Sequence, residues 1–218
     1  MGVSSLSRRV VWPIMVAIGL LLFLCLYVIG SQLYPGGSDF NPTMDGYAIK
    51  LNYWCELMGK NGKNGEPNNA RIPGILGMLF LCLSVSLFWI KLPHLLTPSL
   101  LFRRSIQISG ALSMALAFFI FQFWHDVLVT LSIISGSMAF IISAYFFFKI
   151  RRKLLFTATL LILLLIYLNA VIYMSQQGIS LLPILQKMTF LSAFIWILSC
   201  CLLARKSRKS TIFFSPSF

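Results

Sequence analysis

Six apolar runs, each about as long as a bilayer is thick, leave this chain few folds to choose from. They cover residues 10–30, 73–92, 106–124, 127–148, 154–174 and 184–204, and a helix needs about 20 apolar residues to cross the hydrocarbon core. In lipid, backbone N–H and C=O groups must find partners inside the protein, so each run reads as a helix. The expected fold is therefore all-α: one polytopic membrane domain over 1–218 with six transmembrane helices. Composition agrees. The chain is 58% hydrophobic with a mean hydropathy of +0.86, which leaves too few polar residues to coat a water-soluble globule.

Charge then sets the topology. Arg8 and Arg9 precede the first run; Lys91, Arg103 and Arg104 lie between the second and third. Lys149, Arg151, Arg152 and Lys153 join the fourth and fifth, and Arg205, Lys206, Arg208 and Lys209 follow the sixth. With six spans all four clusters fall on one face, which the positive-inside rule makes the cytoplasm. Both termini are expected inside, with a basic tail over 205–218, and all five acidic residues outside. A net charge of +13 would otherwise suggest nucleic acid. Here the basic residues flank spans, where they meet anionic head groups, and no basic stripe with interleaved aromatics lies elsewhere, so no nucleic-acid partner is expected. The first run is too long for a signal-peptide core and lacks a small-x-small cleavage site, so it reads as a retained helix. Of the five cysteines only Cys55 lies in a long polar segment, where it has no disulfide partner.

That polar segment, 31–72, is the one long outer loop, and it holds Asp39, Asp45, Glu56 and Glu66 together with Tyr34, Phe40, Tyr47, Tyr53 and Trp54. Disordered segments are poor in aromatics, so the loop is expected to be an ordered cap on the bundle. Tyr34-Pro35-Gly36-Gly37 reads as a turn, and residues 61–67 as a second. Residues 47–58 carry Tyr47, Leu51, Trp54, Leu57 and Met58 at helical spacing, as in a short interfacial helix. Rows of small residues, Ser109, Ser113 and Ala117 against Ser132, Gly136, Ala139 and Ser143, predict close packing of the third and fourth spans. Gln122, Asn169 and Gln186 read as interhelical hydrogen-bonding groups.

Chemistry concentrates at His125-Asp126, in the tight turn expected between those two spans. Ionisable groups at such a depth usually have a reason, and histidine is the side chain that changes charge near neutral pH. The pair suits head-group binding, proton relay or orientation of a water; alternatively Asp126 caps the fourth helix. The outer-face candidates that could join it beneath the cap are Arg71, Glu56, Asp45 and Asp39, with Arg71 also a partner for a phosphate. Ser38, in a Gly-Gly-Ser-Asp turn, matches no nucleophile elbow. His94 lies on the opposite face from His125, no close ligand spacing is present, and neither a metal nor another cofactor is expected.

The motifs Tyr34-Pro35-Gly36-Gly37-Ser38, Asn52-Tyr53-Trp54-Cys55, Asn64-Gly65, Pro67-Asn68, Ala70-Arg71 and His125-Asp126 resemble a group of bacterial six-helix integral membrane proteins of unassigned function. That group is similar in layout to DRAM-like and GPI-lipid-remodelling membrane proteins. The resemblance implies this fold and a bacterial inner-membrane location; it carries no reaction. The leading expectation is a membrane protein whose outer face recognises a lipid head group or a protein partner. A lipid-acting membrane enzyme using His125 and an acidic residue is the second, and a transporter the third. Transport is disfavoured because the runs lack the broken helices and paired intramembrane charges that carriers use.

Overall fold

The computed structural model describes residues 3–120 and 124–206, all of them in helices, turns and loop. Six long helices run Val3–Leu33 (α1), Arg71–Lys91 (α2), Leu100–Phe118 (α4), His125–Lys149 (α5), Lys153–Ser175 (α6) and Leu182–Lys206 (α7). A four-residue α3, Pro93–Leu96, joins α2 to α4. Five of the six are long and apolar enough to cross a membrane, so this is a multi-pass membrane protein. The sixth, α4, opens on a turn carrying Arg103 and Arg104, which dilutes its apolar character.

Each long helix packs on the next, and α7 returns to α1, so the six form a ring. The core lies where rings from three helices meet. Trp89 of α2, Phe140 of α5 and Trp196 of α7 stand with centroids 5.0, 5.1 and 5.8 Å apart, within the range in which aromatic pairs attract beyond simple burial. Gly110 of α4 lies directly against the Trp89 ring, where a Cβ would overlap it. The rows of small residues do pack α4 on α5. Ser109, Ser113 and Ala117 are buried, Ser132 Oγ donates to the Ser113 carbonyl at 2.9 Å, and Gly136 approaches Ser113.

The bundle has two unlike ends. Leu96, Ile150, Arg152, Leu155 and Leu203 line one small cavity, which places the close of α5, the start of α6 and the close of α7 together with α3 at the basic end. At the other end Trp54 of the loop sits among Phe23 and Tyr27 of α1 and Phe190 and Phe194 of α7.

Two expectations are corrected here. The third span begins six residues earlier than the apolar run, at Leu100 after Ser99 in extended conformation. Arg103 is therefore helical, its guanidinium reaching back to the Pro98 carbonyl at 2.8 Å. The turn between α4 and α5 is not His125-Asp126. The chain leaves α4 after Phe118, and α5 starts at His125, entered through Trp124 in the left-handed region at φ 75°. Gln122 and nearly all of the basic tail lie outside the described residues.

Candidate functional site

The loop between α1 and α2 is held by its own backbone and by two asparagines. Gly36 and Gly37 adopt φ of 138° and 80°, the positive values that the Pro-Gly-Gly turn requires, and Gly36 pairs with Asp45 while Asn61 pairs with Pro67. Both expected turns are therefore present. The segment 47–58 is helical only at its end, a 3-10 turn over Trp54–Met58. The reason is Asn52, fully buried, whose side chain competes for the backbone. Its Oδ1 accepts the Ala48 N–H at 2.8 Å, and its Nδ2 donates to the Gly37 carbonyl at 2.6 Å and to Glu56 Oε2 at 2.5 Å. Asn68 does the same at the far side of the loop. Its Nδ2 faces the carbonyls of Glu56, Leu57 and Gly59 at 3.0–3.2 Å, and its Oδ1 accepts the Ala70 N–H at the head of α2.

Two residues of α7 dock this loop on the bundle. Gln186 Oε1 accepts the Trp54 N–H at 3.2 Å, so Gln186 serves the loop rather than a neighbouring helix. Lys187 Nζ donates to the Asn52 carbonyl at 2.6 Å and lies 5.7 Å from the Tyr47 ring centroid, within cation–π range. Tyr47 in turn hydrogen-bonds the Tyr27 hydroxyl of α1. Sequence reasoning passed over Lys187, although a lysine inside an apolar run is itself the signal that would have marked it. Asn169 behaves as expected, donating to Thr189 Oγ1 from α6 to α7 at 2.8 Å.

Four of the six candidate residues lie apart from the His125-Asp126 pair. Glu56 is 8% exposed; burial pushes its carboxyl above the usual range, against the lowering effect of the Asn52 N–H. Its Oε1 is buried with no hydrogen-bond partner among the described residues. Burial likewise pushes the neighbouring Cys55 thiol up to about 11, so it stays protonated at neutral pH. Asp39 pairs with Lys63 at 2.5 Å on the loop surface, Asp45 is exposed on the strand-like pairing with Gly36, and Arg71 opens α2, its N–H donating to the Asn68 carbonyl. Among the described residues no hydrogen bond or ion pair joins any of these four to His125 or Asp126.

Asp126 takes a different partner. It does not cap α5: Trp124 holds that position, and no side chain caps the helix. Its Oδ1 instead accepts His125 Nδ1 at 2.9 Å and the Tyr173 hydroxyl of α6 at 2.6 Å. One carboxylate oxygen is thus clamped by side chains from two helices, and the acid is 73% exposed. Since a carboxylate only accepts, His125 Nδ1 carries the hydrogen of that bond. Trp124, 75% exposed, stands immediately before the pair, and Met174 is exposed next to Tyr173. The start of α5 and the close of α6 lie at the far ends of those helices from the basic cavity, so the site stands at the loop end. Ser38 does not serve it. The Ser38 hydroxyl is buried and accepts the N–H groups of Phe40 and Asn41, a turn-holding role.

No family model, curated protein or solved structure matches this chain. The site is therefore read from its own geometry.

Proposed function

We propose that this protein recognises a lipid head group at the loop end of the bundle, and that the group is an amine-bearing zwitterionic one. The observation that supports this is the clamped, exposed Asp126 carboxylate. Oδ1 is occupied by His125 and Tyr173, which leaves Oδ2 for an ammonium donor. The Trp124 indole near it in the chain adds a face that attracts cations. At the membrane interface such a head group lies at the height of the Trp and Tyr side chains. In this reading the basic end of the bundle faces the cytoplasm, both termini are inside, and the site faces the outer side of a bacterial inner membrane. The loop motifs resemble six-helix membrane proteins of unassigned function whose layout is similar to that of GPI-lipid-remodelling proteins, an analogy in keeping with it.

The test is lipid retention by native mass spectrometry of the detergent-purified protein given phosphatidylethanolamine and phosphatidylcholine, which has no N–H donor for Asp126, in equal amounts. Wild type should retain phosphatidylethanolamine preferentially. Asp126→Asn should remove the preference, and Tyr173→Phe should weaken it about tenfold or more, because a hydrogen bond to a charged group contributes about 1.5–3 kcal/mol. Equal retention of the two lipids by wild type, or an unchanged preference in Asp126→Asn, refutes the proposal.

A further inference from the structure

The ring of helices closes unevenly between α1 and α7. At the loop end Trp54 fills the seam, its ring 4.9 Å from Phe23 of α1 and 4.8 Å from Phe190 of α7. Toward the basic end the two helices part, leaving a groove of about 440 Å³ walled by Ile14, Ile18 and Leu21 on one side and Leu198 and Leu202 on the other. Arg205 closes its far end. The groove is not a defect of the core. Trp12, Val16, Leu20 and Phe23 turn inward from α1 and are buried, while Ile14, Ile18 and Leu21 remain exposed on its flank.

Its chemistry is divided. The walls are almost wholly apolar, and Ile14 to Leu21 spans about 10 Å of helix at 1.5 Å per residue, a third of the hydrocarbon thickness. Arg205 ends the groove in a single positive charge, exposed, and among the described residues no hydrogen bond or ion pair engages it. An apolar slot with one cation at the membrane boundary complements a chain ending in an anion. Guanidinium matches phosphate in shape as well as charge, donating two parallel hydrogen bonds.

We infer that the α1–α7 groove is a binding site for an anionic phospholipid, with one acyl chain between Ile18 and Leu202 and its phosphate on Arg205. This site is at the opposite end of the bundle from Asp126 and prefers an anionic over a zwitterionic head group, so the two proposals stand or fall apart.

The experiment is native mass spectrometry of the full chain, titrated separately with phosphatidylglycerol and phosphatidylcholine of the same acyl chains. Wild type should hold one phosphatidylglycerol more tightly than phosphatidylcholine. Arg205→Gln should lower phosphatidylglycerol affinity about tenfold, as loss of a charged hydrogen bond implies, and leave phosphatidylcholine unchanged. Ala17→Phe, or Leu202→Trp from the other wall, should fill the slot and displace the tightly held lipid whatever its head group. Leu202 is exposed, so for Leu202→Trp the melting temperature should not fall. Equal affinities for the two lipids in wild type, or undiminished phosphatidylglycerol binding in Arg205→Gln, overturns the inference. So does a dimer that the filled-groove variants dissociate, since the groove is then an interface between copies of the chain.

Discussion

Lys187 is the residue on which docking of the α1–α2 loop most depends, and replacing it by methionine isolates its charge at nearly constant volume. Its ammonium makes two hydrogen bonds, but the one to the Pro183 carbonyl is internal to α7 and is present whether or not the loop is docked. What docking adds is the bond to the Asn52 carbonyl at 2.6 Å and the Tyr47 ring face at 5.7 Å. A hydrogen bond from a charged donor contributes about 1.5–3 kcal/mol and a partly exposed cation–π contact about 0.5–1 kcal/mol. Against them stands the cost of taking a half-buried ammonium out of water, which offsets a large share. The Asn52 carbonyl is not orphaned in the variant, because the Tyr47 hydroxyl still donates to it. A net loss of about 1.5 kcal/mol is expected, and 1.4 kcal/mol is tenfold in an equilibrium constant. Amide hydrogen exchange in detergent should read this directly. The protected N–H groups of Asn52 and Gly59 should exchange about tenfold faster in Lys187→Met, with the helix amides of α2 and α5 unchanged. Unaltered exchange in the loop would refute the reasoning. A uniform rise across the bundle would show instead that Lys187 supports helix packing.

Glu56→Gln tests the buried carboxyl. Its folded-state pKa is raised above an ordinary value of 4.5, so its contribution to stability is fully present below about that pH and is lost as pH rises through the folded value. The glutamine keeps an oxygen for Asn52 Nδ2, so thermal unfolding in detergent should find it more stable than wild type at pH 7 and equal to it below pH 4.5; lower stability at pH 7 contradicts this. Gly110→Ala places a methyl group in the Trp89 ring, an overpacking that costs about 1–3 kcal/mol. It should lower the melting temperature in detergent, while Ala111→Leu, one residue along α4, serves as the control.

The helices were legible because a bilayer imposes length and apolarity on the chain, and neither depends on distant partners. The small-residue rows of α4 and α5 could be read for the same reason, since backbone approach is a local property of residue size. What escaped was set by neighbours. Arg103 and Arg104 look like connection on charge alone, yet the Ser99 start and the reach of Arg103 to Pro98 draw them into α4. The helical spacing over 47–58 was real, but Asn52 diverts the first half of that segment into side-chain hydrogen bonds. The candidate site was read as one cluster because charges in one loop and one turn share a membrane face. Sharing a face is weaker than contact: the structure gives Asp126 to Tyr173, 47 residues along the chain, which no local pattern announces.

The way Trp54 and Lys187 close the α1–α7 seam has a consequence for how the protein is made. The loop follows the first helix, but its docking partners Gln186 and Lys187 lie 132 and 135 residues further on. At a synthesis rate of about 5–20 residues per second, that interval is roughly 7–26 seconds. Throughout it the asparagine-held turns can form, while Trp54 has α1 on one side and nothing of α7 on the other. The cap is therefore assembled early and seated last, and seating it requires that the final helix has arrived in the correct orientation. A chain whose last helix is missing or inverted would display an undocked, aromatic loop at the membrane surface, a visible mark by which surveillance proteases could tell incomplete molecules from finished ones.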